Sequence, residues 1–131
     1  MAQKYIIGDI VMYKNRIYTI IDISASNGYK LPYVRHQVGS ARLSGFPLTP
    51  EILEKNGWKF LKHHERNSYD DVSWSSYHKP AETNISLIFY QEEEAFFPFL
   101  YAQEISEKPI RYIHQLQHLL FGLGLNSEME V

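Results

Sequence analysis

The chain has 131 residues, 44% of them hydrophobic and 21% charged, which fits one globular domain of ordinary size. Its formal net charge of −2 argues against a general nucleic-acid-binding protein, which would carry a basic excess. The sequence contains no cysteine, and this excludes disulfides, thiolate zinc sites and a cysteine nucleophile. No apolar run approaches the roughly 20 residues of a membrane helix, and the N-terminal stretch lacks the apolar core of a signal peptide. We therefore expect a soluble cytoplasmic protein without a membrane partner.

The first 48 residues are predicted to form small, barrel-like strands. Two β-branched runs within residues 5–24 flank a polar turn at Lys14-Asn15-Arg16, a pattern typical of a β-hairpin. The opening "GDIVMYKNRIYTIIDI" resembles the start of small SH3-like barrels. An aromatic share of 15%, with ten tyrosines, also favours strands.

The middle of the chain contains one clear helix signal. Thr49 is a good N-cap, Pro50 suits the first helical position, and Asn56-Gly57 is a typical helix end. These residues predict a short helix over 49–57. Residues 59–84 are polar with scattered aromatics and predict either a loop or an irregular hairpin.

The last third predicts a hairpin followed by a helix. Residues 85–105 suggest strand, turn and strand, with Glu92, Glu93 and Glu94 in the turn. Pro98 cannot donate a ladder hydrogen bond, so the second strand should lie at an edge or carry a bulge there. An amphipathic helix is predicted over 110–121. The predicted fold class is α+β. It combines a small antiparallel SH3-like barrel or curled sheet with a short middle helix and a C-terminal amphipathic helix packed on the sheet. The C-terminal helix is expected to cover the later hairpin.

Two histidines in the C-terminal helix raise the question of a metal site. His114 and His118 have the spacing of the zinc ligands in H-E-x-x-H metalloproteases, and a helical wheel places both on the polar face. The general base of that motif is a glutamate directly after the first histidine, and here the residue is Gln115. A catalytic zinc also needs three protein ligands, and no third is signalled. We therefore predict two polar-face histidines and no metal.

Other chemical motifs are weak or missing. The stretch "KHHER" at residues 62–66, together with Asp70 and Asp71, gathers metal-competent side chains, but a solvated loop explains them. The sequence has no G-x-S-x-G nucleophile elbow and no glycine-rich phosphate loop. We predict no catalytic residue, no cofactor and no enzymatic activity.

Basic residues are concentrated near the N-terminus. Residues 1–44 contain six of them, interleaved with five tyrosines that could offer stacking surfaces. If the protein touches nucleic acid, the predicted contact residues are Lys14, Arg16, Tyr18 and Arg35.

Two motifs resemble a known family. The segments "PLTPEILEKNGW" and "YIHQLQHLLFGL" are similar to a P-L-T-x-E-x-L helix and a Y-I-H-Q-L-Q helix found in small uncharacterised proteins of Bacteroides-type genomes, their phages and mobile elements. In that family asparagine usually stands at the position of His118, which further argues against a paired-histidine metal site. The resemblance implies a barrel-like start followed by these helices, and it implies no activity.

The function is unknown from sequence, and the favoured hypothesis is a non-enzymatic protein-interaction module. Its protein partner is unidentified, and the resemblance relates it to phages or mobile elements. The alternatives are a weak nucleic-acid-binding accessory protein that uses the N-terminal barrel and, least favoured, a metal-dependent hydrolase.

Overall fold

The computed structural model describes residues 4–24, 28–69, 72–80, 82–101, 103–105 and 108–131. Within these ranges the chain forms three sheets and two α-helices, so the predicted α+β class is confirmed. The chain divides into two compact units. The first comprises Met1–Pro47 and Tyr112–Met129, and the second comprises Leu48–Arg111 and Glu130–Val131. None of the described helices is long and apolar enough to cross a membrane.

The described part of the first unit contains six short strands in two sheets. In chain order they are β1 (Ile10–Tyr13), β2 (Arg16–Thr19), β3 (Asp22–Ile23), β4 (Gly28–Lys30), β5 (Val38–Gly39) and β6 (Ser44–Gly45). One sheet has the order β2-β1-β6 and the other β3-β4-β5. Neither of these described sheets closes on itself. The predicted strands are therefore present, while their arrangement as an SH3-like barrel or curled sheet stays a prediction.

The β1–β2 hairpin has the predicted turn. Tyr13 pairs with Arg16, and the two residues between them, Lys14 and Asn15, have φ of 49° and 63°. Two consecutive positive φ angles are the mark of the tight hairpin turn whose twist matches that of its strands, and asparagine tolerates this conformation well. The polar triplet in the sequence was therefore a correct turn signal.

The second unit is built on a five-stranded antiparallel sheet. Its elements are α1 (Pro50–Lys55), β7 (Lys59–His64), β8 (Trp74–Lys79), β9 (Glu82–Tyr90), β10 (Ala95–Leu100) and β11 (Gln103–Glu104), in the sheet order β11-β10-β9-β8-β7. Of the two alternatives for residues 59–84, the structure shows the irregular hairpin: β7 and β8 pair across a long connection, with a bulge between Phe60 and Lys62. The buried residues of this unit include Leu53, Trp58, Tyr77, Ile85, Leu87, Phe96 and Ile110.

Local signals in the second unit were read correctly. Thr49 Oγ1 accepts a hydrogen bond from the backbone N–H of Ile52 at 3.3 Å, Pro50 is the first helical residue, and Gly57 has a φ of +89° just past the helix end. β10 pairs with β9 in unbroken register through Pro98, and β11 pairs with β10 only from Phe99 onward. Pro98 thus needs no bulge, because no named strand pairs with its outer side.

The C-terminal helix α2 (Ile113–Gly122) lies in the first unit and contacts β1. Its buried residues are Ile113, His114, Leu116, Gln117 and Leu120. The sequence predicted that this helix covers the hairpin of residues 85–105, which belongs to the second unit. Within the first unit the helix buries polar as well as apolar side chains, and the polar ones have specific partners at the start of β1.

Candidate functional site

The two histidines of α2 occupy different environments. His114 is only 7% exposed, and its imidazole lies edge-on to Tyr5, with ring centroids 5.0 Å apart, and stacks on Tyr112 at 5.9 Å. Its Nδ1 is buried and finds no hydrogen-bond partner among the described residues. His114 thus lies on the side of the helix that is polar in sequence, and that side is partly buried.

His118 belongs to a polar cluster that joins α2 to the start of β1. Its Nε2 is hydrogen-bonded to Oδ2 of Asp9 at 2.6 Å, and the same carboxylate oxygen accepts from the backbone N–H of Ile6 at 2.9 Å. Asp9 is 1% exposed. The buried carboxylate is therefore held by one donor from the helix and one from its own turn.

Gln117 completes this polar cluster. Its Oε1 accepts from the backbone N–H of Ile10 at 2.9 Å, and its Nε2 donates to the carbonyl oxygens of Gly8 at 2.8 Å and Ser127 at 3.1 Å. One buried side chain thus satisfies three backbone groups that would otherwise lose their water without a partner. This network explains why a glutamine occupies a buried helix position.

Burial controls the charges in the cluster. Desolvation lowers the pKa of His114 to about 4, and the charges of His118 and Lys4 act in the same direction. Desolvation raises the pKa of the Asp9 carboxyl, against the opposing effects of the Ile6 N–H and His118. At neutral pH His114 is therefore neutral. The polar cluster of Asp9, Gln117 and His118 has a structural role, because its hydrogen bonds connect α2 to the start of β1.

The geometry does not assemble the zinc-protease site. Gln115, at the position of the general base, accepts a hydrogen bond from the backbone N–H of Tyr112 at 3.1 Å and so caps the first turn of α2. Among the described residues no three His, Asp or Glu side chains are grouped as metal ligands would be. Of the polar loop considered from sequence, residues 62–64 lie in β7, while Asp70 and Asp71 lie outside the described residues.

Three of the four residues predicted to contact nucleic acid lie on one hairpin. Lys14 is in the β1–β2 turn, while Arg16 and Tyr18 are in β2. The Lys14 Nζ lies 5.3 Å from the centroid of the Tyr13 ring, and Tyr13 packs against Tyr18 with centroids 6.2 Å apart. Arg35 is exposed in the segment between β4 and β5.

Of the five tyrosines within residues 1–44, three are core residues. Tyr5, Tyr13 and Tyr29 are buried, together with Val11, Ile20, Leu31, Val38 and Leu43. Tyr18 is half-buried and Tyr33 is fully exposed. The expectation that all five tyrosines offer stacking surfaces was therefore wrong, because aromatic side chains in strands also supply much of the buried area of a small unit.

A surface that the sequence did not single out is the outer edge of β7. This strand ends the five-stranded sheet, so only β8 pairs with it among the described strands. Five of its six residues are exposed, and they include Phe60 at 51% and Leu61 at 63%. An exposed edge with large apolar side chains is an unusual feature of a globular protein. The pattern "KFLKHH" does not alternate cleanly, and this hid the strand.

The register assigns the β7 side chains to the two faces of the sheet. Lys59, Lys62 and His64 pair with alternate residues of β8, namely His78, Ser76 and Trp74, and therefore share one face. On this face the Lys62 Nζ lies 5.9 Å from the Trp74 ring centroid, and His64 stacks on Trp74 at 5.3 Å. Phe60 and His63 pair with Tyr77 and Ser75, and they lie on the opposite face.

One hydrogen-bonded relay beside this edge resembles a nucleophile arrangement. His63 Nδ1 is 2.8 Å from the Ser75 hydroxyl, and His63 Nε2 is 2.6 Å from Glu65 Oε1. Ser75, however, is buried near the start of β8, and its hydroxyl is therefore closed off from a substrate. It lies in a paired strand and not on a turn that could present backbone donors to an oxyanion. The relay is a cross-strand contact that fixes the His63 side chain.

Comparisons with protein-family models, curated proteins and solved structures found no match for this chain.

Proposed function

We propose that this chain is a non-enzymatic protein-interaction module that binds an extended segment of a partner protein as an additional strand beside β7. The observation that carries the proposal is the open edge of β7 with Phe60 and Leu61 exposed. Strand addition supplies main-chain hydrogen bonds for affinity and side-chain contacts on alternate positions for specificity.

The two edges of the sheet are not equivalent. The opposite edge is β11, which has only two residues, whereas β7 has six. A six-residue strand spans roughly 20 Å at about 3.3 Å per residue, which is long enough to pair with a peptide segment. The bulge after Phe60 and the two lysines are ordinary defences of an edge against uncontrolled pairing. The bulge and the lysines restrict which strands can pair with β7, but they leave the edge open to pairing.

The test is selection of peptides from a random display library on the immobilised full chain, followed by NMR mapping of the selected peptides. We expect their addition to shift the backbone amide signals of Lys59–His64 and to slow the hydrogen exchange of those amides. Phe60→Ser combined with Leu61→Ser should weaken binding several-fold. Phe121→Ser is the matched control, because Phe121 is 67% exposed on α2 and lies in the other unit.

Selected peptides that leave the β7 amides unchanged would contradict strand addition. Equal loss of binding in the β7 variant and the Phe121→Ser control would also contradict it, since the effect would then be a general consequence of removing an exposed apolar side chain.

The alternative function is weak nucleic-acid binding by the barrel-like first unit. The approach of Lys14 to Tyr13, with Arg16 on the adjoining strand, favours the β1–β2 hairpin as the contact. Fluorescence anisotropy with short DNA and RNA at about 50 mM and about 200 mM salt tests it. Salt-sensitive binding should be reduced by Arg16→Ala and Arg35→Ala together, and no binding at the lower salt ends this alternative.

A further inference from the structure

We infer that the segment added beside β7 is acidic, with carboxylates at alternate positions on one face and an apolar residue on the other. This inference rests on the proposed strand addition and names the chemistry of the partner. It is carried by the arrangement of Lys59, Lys62 and His64 on a single face of the edge strand.

The cations of β7 are available to a partner. Lys59 and Lys62 are both exposed, and neither forms an ion pair with another described residue. The strand itself, Lys59–His64, contains no acidic residue. The first carboxylate after it, on Glu65, is engaged by His63 on the opposite face. A strand hydrogen-bonded to β7 would place every second side chain beside Lys59, Lys62 and His64.

The face of β7 that carries Phe60 favours a different type of partner side chain. Phe60 lies there with about half of its surface exposed, against Tyr77 at a centroid distance of 5.9 Å. An apolar residue of the added strand would cover the free part of the Phe60 ring. The two faces together specify an alternation of acidic and apolar residues.

A second copy of the chain fits this edge less well. Antiparallel pairing of two β7 strands would align Lys59 and Lys62 of both copies along one seam without a carboxylate, and like charges directly opposite are destabilising. Single-stranded nucleic acid would meet the lysines, but it cannot form the main-chain hydrogen bonds of the open edge. The charge pattern and the strand geometry agree only for an acidic peptide.

Three matched ten-residue peptides test the inference, each alternating valine with glutamate, glutamine or lysine. Binding to the full-length protein is measured by NMR titration of the Lys59–His64 amides. We expect the glutamate peptide to bind about five-fold more tightly than the glutamine peptide, and the lysine peptide to bind most weakly. In Lys59→Glu/Lys62→Glu the order should reverse. Lys14→Glu/Arg16→Glu makes the same change in net charge within the first unit and should leave the order unchanged.

The outcomes are distinguishable. Equal binding of the three peptides at β7 overturns the acidic preference and leaves strand addition standing. No shift of the β7 amides with any peptide, including those selected from the library, overturns strand addition and this inference with it. Tighter binding of oligodeoxythymidylate at Lys59 and Lys62 would identify a nucleic-acid surface instead. A dimer in sedimentation experiments that is lost in Leu61→Asp would identify a second copy as the occupant.

Discussion

Acidification should destabilise the first unit through His114. The pKa of this imidazole is lowered from 6.5 to about 4 in the folded protein, chiefly by burial. The unfolded chain therefore takes up the proton first, and stability that is present above pH 6.5 is lost as the pH falls toward 4. Between about pH 7 and about pH 5 the linkage relation gives a loss of about 2 kcal/mol, or about 5 to 8 °C in Tm for a chain of this size.

The perturbation that isolates this effect is His114→Phe, which keeps a ring between Tyr5 and Tyr112 and removes the titrating group. Thermal unfolding of both proteins is followed at the two pH values by circular dichroism at 222 nm. Tryptophan fluorescence is recorded in parallel, because Trp58 and Trp74 are both in the second unit. The raised pKa of Asp9 has the opposite sign, since the folded state then keeps its proton more readily, but both proteins contain this carboxyl.

We expect the wild-type protein to lose about 2 kcal/mol more than His114→Phe on acidification, in the dichroism signal. Equal losses in the two proteins would refute the reasoning, because His114 would then be as accessible to protons when folded as when unfolded.

Four further outcomes are expected in the first unit. Leu116→Ala should cost about 2–5 kcal/mol because the side chain is fully buried, and an unchanged unfolding midpoint would remove the basis for the docked helix. Gln117→Leu should cost about 2–5 kcal/mol by leaving three backbone groups without partners, and a neutral result in urea unfolding would mean that water replaces the amide. Gly45→Ala should destabilise by about 1–3 kcal/mol, since the added methyl would lie 2.6 Å from an aromatic carbon at the start of α2; a stabilised variant in the same assay would contradict this packing. Elemental analysis of untagged protein should find no stoichiometric zinc, and zinc lost in both His114→Ala and His118→Ala would defeat that expectation.

Local sequence signals were sufficient to predict those elements that are stabilised by interactions between neighbouring residues. The Lys14-Asn15 turn and the Thr49-Pro50 helix start depend on neighbouring residues only, and the structure has both. The predicted start of the last helix at residue 110 was three residues early, because Ile110 instead forms an isolated bridge with Phe96. Such a bridge depends on a residue distant in sequence, and no helical periodicity could reveal it.

The partner of the last helix could not be predicted, because amphipathicity was taken as a guide to burial. His114 and Gln117 are polar but buried, whereas Phe121 is apolar and largely exposed. The contacts that reverse the expected pattern are made with Gly8, Asp9 and Ile10, more than a hundred residues earlier. A single buried amide with three backbone partners carries no periodic signal in sequence.

The sequence pattern of β7 likewise did not reveal its exposed edge. The charges of this strand also explain how its edge can stay unpaired. A strand of alternating apolar and β-branched residues at a sheet edge would pair with any similar strand, including its own copy. In β7 the lysines share one face, so their charge disfavours pairing with basic strands. The same charges attract a strand that carries carboxylates at matching positions. The exposed ring of Phe60 favours an apolar residue between those carboxylates, because that residue would cover the ring. Protection against unwanted pairing and selection of an acidic partner are therefore two consequences of one charge pattern.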